Sequence, residues 1–174
     1  MSIIDKIAAA VTPLPDDDKR AEATREARAH ATAGDWLGLV LDHHDRIREA
    51  FAAGREARGA PARVAAMKDL ALILNGHSLA EEIVLYPALA QSGGKAHAAQ
   101  AYIEQTTAKN QMAELENIAP SKPEWLDKWE HIEGAVLTHM YEEESGWFLE
   151  LKEKGDHQAR LTSRYQEEFE RYVG

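Results

Sequence analysis

The stretch MKDLALILNGHSLAEEIVLYPA, residues 67–88, decides the fold. Met67, Leu70, Ile73 or Leu74, Val84 and Ala88 recur at intervals of three and four, the period of one helix face and not the alternation of a strand. His77 and Glu81 fall on the same face one turn apart, so the predicted core helix carries two polar groups inside its apolar stripe. Pro61 opens this helix, and Pro87 or Ser92 ends it.

Working outward, the chain breaks at Thr12 to Pro15, Gly34, Gly59 to Pro61, Ser92 to Gly94, Ala119 to Pro123 and Gly155. On the N-terminal side, Asp35 caps a helix whose stripe is Leu37, Val40, His44, Ile47 and Phe51. On the C-terminal side a third helix presents Ala98, Ala101, Gln105, Ala108, Met112 and Leu115, and its small residues predict close packing. Ser121 with Glu124 reads as a capping box for a fourth, with Trp125, Trp129, Ile132, Val136, His139, Glu143 and Trp147 on one face. Residues 16–32 have no large apolar side chain and suit a surface helix, while Leu161, Tyr165, Phe169 and Tyr172 mark a last amphipathic helix lying on the outside. The expected fold is all-α, an up-and-down antiparallel four-helix bundle with extra N-terminal and C-terminal helices. Its parts are a helical extension over 1–34, the bundle over 35–154, and a C-terminal helix over 155–174.

At 174 residues and 44% hydrophobic, the chain can bury a core of its own. It has no cysteine, which removes disulfides, thiolate zinc sites, cysteine-held clusters and cysteine nucleophiles. The opening MSIIDKIAAAV, with Asp5 and Lys6 in a short amphipathic stretch, lacks the apolar run of a signal peptide or membrane span, so a cytoplasmic protein is expected. A net charge of -10 repels phosphate backbones and anionic lipid, so neither nucleic acid nor membrane is an expected partner.

Each of the four core helices thus brings a polar residue to the middle of an apolar face: His44, His77 with Glu81, Gln105, and His139 with Glu143. Short loops make neighbouring helices antiparallel and place these positions at a similar height. Unpaired carboxylates in a dry layer cost several kcal/mol, roughly, and a bound cation would offset that cost. The HxxxE spacing in two helices lets one face offer an imidazole and a carboxylate together, and that donor set suits iron or manganese, with zinc and copper competing.

Plainer readings exist for each piece. A lone buried histidine such as His44 is commonly a hydrogen-bonded core residue, and a shift of one residue would put His43 in its place. The run Glu142 to Glu144 reads as a solvated face with Glu143 alone turned inward, and the tryptophans read as core filling. His30, His97, His131 and His157 read as surface or boundary residues, although His97 and His131 each precede a core polar position by two turns.

Three stretches carry a resemblance: DHHDRIREAF at 42–51, HSLAEEIVLYPAL at 77–89 and HMYEEESGWF at 139–148. Together they resemble the hemerythrin-like family with its HHE cation-binding domain, over roughly residues 35–152. The resemblance implies that His44, His77 and His139 are nitrogen ligands and that Glu81 and Glu143 bridge two irons, with an oxo or hydroxo bridge and an open position completing the centre. IEQTTAKNQMAELE at 103–116 aligns as the third helix, but Gln105 stands where the family supplies a histidine. A glutamine carbonyl is a weaker ligand than imidazole, so two ions are implied, or one if the Gln105 side is empty. Lys109, one turn on, could place an ammonium near that second position.

The function so implied is a non-haem iron protein that binds or senses a small diatomic ligand such as oxygen or nitric oxide, since the sequence shows no evident substrate cleft or catalytic acid. An oxidoreductase acting on peroxide or oxygen is the alternative, with Tyr86, Tyr102 and Tyr141 near the ligands in sequence. A metal-free bundle acting as an interaction module is the third reading.

Overall fold

The computed structural model describes residues 14–174; the amphipathic opening stretch and the start of the first break lie outside them. Every regular element among the described residues is helical. Helix α1 spans Asp17–His30 and is capped by Asp16, which accepts from the Lys19 N–H. Helix α2, Trp36–Glu56, begins at Asp35, whose carboxylate accepts from Gly38 N at 2.8 Å, as the sequence predicts. Helix α3, Ala60–Ala80, starts after Gly59, which turns the chain at φ +81°, a conformation open to glycine at little cost.

Helix α3 does not end at Ala80. It runs through a π-helical turn, Glu81–Leu85, into α4, Tyr86–Gln91, and the Tyr86 N–H bonds back five residues to the Glu81 carbonyl. The wide turn lets the helix pass Pro87, which has no N–H to give and would otherwise crowd the preceding turn. After α5, Lys95–Glu116, comes α6, Pro123–Glu142, and the same device follows: a π-helical turn, Glu143–Trp147, leads into α7, Phe148–Lys154. The last helix, α8, spans Gln158–Val173. The expected Ser121 and Glu124 capping box is not formed; Lys122 holds the cap position without a side-chain bond, and Pro123 starts the helix by its fixed φ.

Helix α2 packs on α3 and α6, and α5 packs on α4 and α6. The apolar stripes read from sequence meet between them: Leu37, Val40, Ile47, Phe51, Leu70, Trp125, Trp129 and Ile132 are fully buried. Burial of side chains this large contributes roughly 1.5–3 kcal/mol each before entropy is counted. Helix α1 lies against the second π-helical turn, and α8 lies along α2 and α3. Among the described residues no helix is long and apolar enough to cross a membrane.

Candidate metal centre

The polar layer predicted from sequence exists, and four of its members meet. His44 from α2, His77 from α3, and Glu81 and Glu143, which open the two π-helical turns, offer ligand atoms all within 4.8 Å of one another. All four side chains are 0% to 1% exposed. His44 Nε2, His77 Nε2, Glu81 Oε1 and Glu143 Oε2 have no hydrogen-bond partner although they are buried. Leaving such atoms unpaired costs about 1–3 kcal/mol each, more for charged groups, so unpartnered atoms on four residues that also bring ligand atoms within 4.8 Å of one another mark a candidate cation position. Two imidazole nitrogens with two carboxylate oxygens fit a divalent first-row metal.

The far side of each imidazole is held. His44 Nδ1 lies 2.7 Å from Glu144 Oε1, and that carboxylate also accepts from Arg48 Nη2 at 2.5 Å and from the Thr24 hydroxyl of α1. His77 Nδ1 lies 3.0 Å from the Tyr165 hydroxyl, which reaches in from α8 and stands 2.8 Å from His43 Nδ1. His139 Nδ1 lies 2.7 Å from Glu104 Oε2. Such partners fix ring orientation and aim the Nε2 atoms of His44 and His77 inward, that of His44 3.3 Å from Glu143 Oε2.

His139 and Gln105 belong to the same layer but not to the unpaired quartet. The Tyr86 hydroxyl lies 2.8 Å from Glu143 Oε1, 3.0 Å from Glu81 Oε2 and 3.1 Å from His139 Nε2. Gln105 Nε2 donates to that hydroxyl at 2.9 Å and to Glu81 Oε2 at 2.8 Å, while its carbonyl accepts from Ser78.

Charge in this layer is spread over protons. Burial alone would pull the His44 imidazole down, yet the Glu143 and Glu144 carboxylates outweigh it and raise its pKa to about 9. Burial likewise opposes charge on His139, and Glu143 with Glu104 overcomes it, holding that ring well above the ordinary imidazole range. Burial and the charge of Glu143 push the Glu81 carboxyl well up. Burial and the neighbouring His44 keep His77 well down, hence neutral. Protons stand here where positive charge is required.

Several expectations need correction. Glu144 is not on a solvated face: it is fully buried and holds His44, because the wide turn carries two successive glutamates inward. Lys109 does not approach the centre; its ammonium pairs with Glu82 at the surface, 2.5 Å away. His43 is buried but faces Tyr165 and stacks on Phe169, with burial, then Arg46 and His44, lowering its pKa to about 4. The α8 helix does more than cover the outside, since Tyr165 is fully buried against two histidines. Ala88 is only half-buried, and Leu89 takes the core position. His30, His97, His131 and His157 are exposed, as predicted, and the tryptophans fill the core. Glu104 and Tyr165 escaped the sequence reading; Glu104 is a neighbour of Gln105 with no motif of its own, and Tyr165 looked like one more aromatic on an amphipathic stripe.

The small residues of α5 do not all produce close packing. Ala99, Ala108, Gly134 and Ala135 line a mainly apolar cavity of about 670 Å³ between α5 and α6, which reaches His77, Gln105 and His139. The cleft that sequence reading did not find is therefore present.

A helical protein that gathers histidine and glutamate around one buried point, with no thiolate, is of the carboxylate–histidine cation-binding class. Residues 35–151 match the hemerythrin HHE cation binding domain, and the chain belongs to that family. A DNA nickase of Nostoc sp. (strain PCC 7120 / SAG 25.82 / UTEX 2576) is 33% identical over 79 residues, which cover 45% of this chain and 22% of that relative. The chain thus spans about a fifth of the relative's length. No solved structure matches it.

Proposed function

We propose that this chain is a non-haem iron protein whose reduced centre binds or senses a small diatomic ligand such as oxygen or nitric oxide, on an up-and-down antiparallel four-helix bundle. The carrying observation is that His44, His77, Glu81 and Glu143, from three helical segments, bring ligand atoms within 4.8 Å of one another while each keeps a buried polar atom without a partner. A ferrous ion there would supply a redox-active Lewis acid; zinc and manganese compete for the same donors. The protein's own part is to hold two imidazoles by Glu144 and Tyr165, and to exclude bulk water from a layer where every ligand is buried. The ring of neighbours α2–α3–α4–α5–α6 supports the bundle arrangement.

The test is anaerobic loading of the full chain with ferrous ion, then titration with nitric oxide or oxygen. New visible absorption saturating at a fixed ratio to bound iron is expected, and His77→Ala is expected to lose both iron and band. An iron-loaded, folded protein whose spectrum does not respond to either gas would refute the reading.

The cavity reaching His77, Gln105 and His139 favours one second reading, an oxidoreductase acting on peroxide or oxygen. Peroxide turnover above that of free iron distinguishes it. A net charge of -10 opposes a phosphate backbone and argues against nucleic acid as the partner of this chain.

A further inference from the structure

Beside the quartet lies a second polar pocket formed by Glu81 Oε2, Glu143 Oε1 and His139 Nε2, with His139 and Glu143 3.2 Å apart. Each of these atoms is within hydrogen-bond distance of one group, the Tyr86 hydroxyl. We propose that Tyr86 occupies the place of a second cation, so that the centre holds a single ion on His44, His77, Glu81 and Glu143. This rests on reading the quartet as a metal site.

The unpaired atoms lie on one side, although Glu81 Oε2 also stands 3.2 Å from His77 Nε2. Glu81 Oε1 and Glu143 Oε2 lack partners, whereas Glu81 Oε2 and Glu143 Oε1, on the same two carboxylates, are hydrogen-bonded. One face of the carboxylate pair therefore calls for a ligand, and the other is satisfied by protein. Gln105 seals the satisfied face. Its amide nitrogen points at Glu81 Oε2 and at the Tyr86 oxygen, with the carbonyl turned away to Ser78. An amide N–H cannot ligate a metal and presents positive hydrogens to any cation placed there. His139 is tied on both nitrogens, to Glu104 and to the Tyr86 side.

Charge agrees with geometry. Glu81 and Glu143 balance one divalent ion, while the other carboxylates beside the layer are engaged elsewhere, Glu144 by His44 and Arg48 and Glu104 by His139, and leave a second ion's charge without a counterpart. The placement of Tyr86 is built in: it is the first residue after the π-helical turn that Glu81 opens, it is fully buried, and its ring packs edge-on against Tyr102, centroids 5.2 Å apart. In this arrangement His139 is a positioning residue for Glu143 and Tyr86, not a ligand.

Iron per chain, measured by plasma mass spectrometry after anaerobic loading with ferrous ion and desalting, decides the matter. One iron is expected in the unmodified protein and in a folded His139→Gln, and none in His77→Ala. Tyr86→Phe/Gln105→His, which vacates the second pocket and supplies an imidazole, is expected to hold two. Circular dichroism and melting temperature establish that each variant is folded. Two irons in the unmodified protein, loss of the single iron from folded His139→Gln, or a folded double variant that still holds one would overturn the proposal. So would a visible phenolate-to-ferric band in the oxidised protein that Tyr86→Phe abolishes, since Tyr86 would then be a ligand. Absence of iron from the unmodified protein is a different failure, that of the metal reading of the quartet.

Discussion

Glu144→Gln tests whether the centre depends on a residue that touches no ion position itself. The Glu144 carboxylate accepts from His44 Nδ1 at 2.7 Å and from Arg48 at 2.5 Å, and its side chain is 1% exposed. As an anion it keeps the His44 proton on Nδ1 and leaves the Nε2 lone pair free for a cation. A glutamine amide carries no charge to hold that proton, and its NH2 competes with Arg48 as a second donor where only acceptors are useful. Loss of such a partner weakens metal binding about 10- to 100-fold, which corresponds to roughly 1.4–2.8 kcal/mol. The fold should lose less, about 1–2 kcal/mol, since Arg48 keeps Asp45 at 2.8 Å and is partly solvated. The assay is competition for ferrous or cobaltous ion against a chelator of known affinity, with denaturant melts in parallel. Affinity within twofold of the unmodified protein, in a folded variant, would show that His44 is aimed without Glu144 and would refute the reasoning.

Three further substitutions address the scaffold. A Cβ at Gly54 would sit 2.0 Å from Trp129 Cζ2, and that indole cannot retreat: it stacks on Trp125 and donates its N–H to the Phe51 carbonyl. Gly54→Ala should therefore destabilise by about 2–4 kcal/mol despite the better helix former, whereas Gly134→Ala, with nothing within 4 Å, should stabilise by up to about 1 kcal/mol; urea melts giving both variants the same sign would contradict this. Asp35 caps α2, accepts from Thr32 N and pairs with Lys152 of α7, so Asp35→Ala should cost roughly 2–3 kcal/mol at neutral pH. Burial would raise the Asp35 carboxyl, but Lys152 and the two backbone N–H groups outweigh it and hold the pKa below the usual range. Its contribution is thus fully present above about pH 4 and fades as pH falls through the depressed folded value, so the gap between unmodified protein and variant should close below pH 4 and stay constant from pH 6 to 8.

Much of the layer was legible because burial in a helix leaves a period. His44, His77, Gln105, His139 and Glu143 each interrupt a stripe of core residues, and each is buried where the stripe places it. What periodicity cannot carry is the partner across the interface. Glu104 lies on the flank of α5 and reaches His139, and Thr24 on an alanine-rich helix reaches Glu144, through contacts set by packing distance alone. Tyr165 could have been questioned on chemical grounds, since a tyrosine sunk into a core usually finds a partner for its hydroxyl.

The inward positions of Glu144, Tyr86 and Leu89, none of them on the stripes read from sequence, have one physical origin. Counting in threes and fours from Glu81 predicts Val84 and Ala88 inside; the structure buries Val84 but also Leu85, Tyr86 and Leu89. Counting from Glu143, Phe148 and Leu151 are buried at the same offsets of five and eight. Each π-helical turn adds a residue and advances the following helix by one position, which brings Tyr86 under the carboxylates in one helix and lets Glu144 turn inward beside Glu143 in the other. Pro87 was the sequence sign of the first turn, because a helix continuing past it must give up one ordinary bond. The second has no such sign, only a Gly146 within it. If the turns are what set the polar layer, they also tie its two carboxylates to the two wide turns: Glu81 and Glu143 are each the residue whose carbonyl accepts the five-residue bond. Deleting one residue after Glu81 would replace the wide turn with a regular one and leave Tyr86 four places on instead of five, still on the face of the glutamate, so the second pocket should keep its hydroxyl.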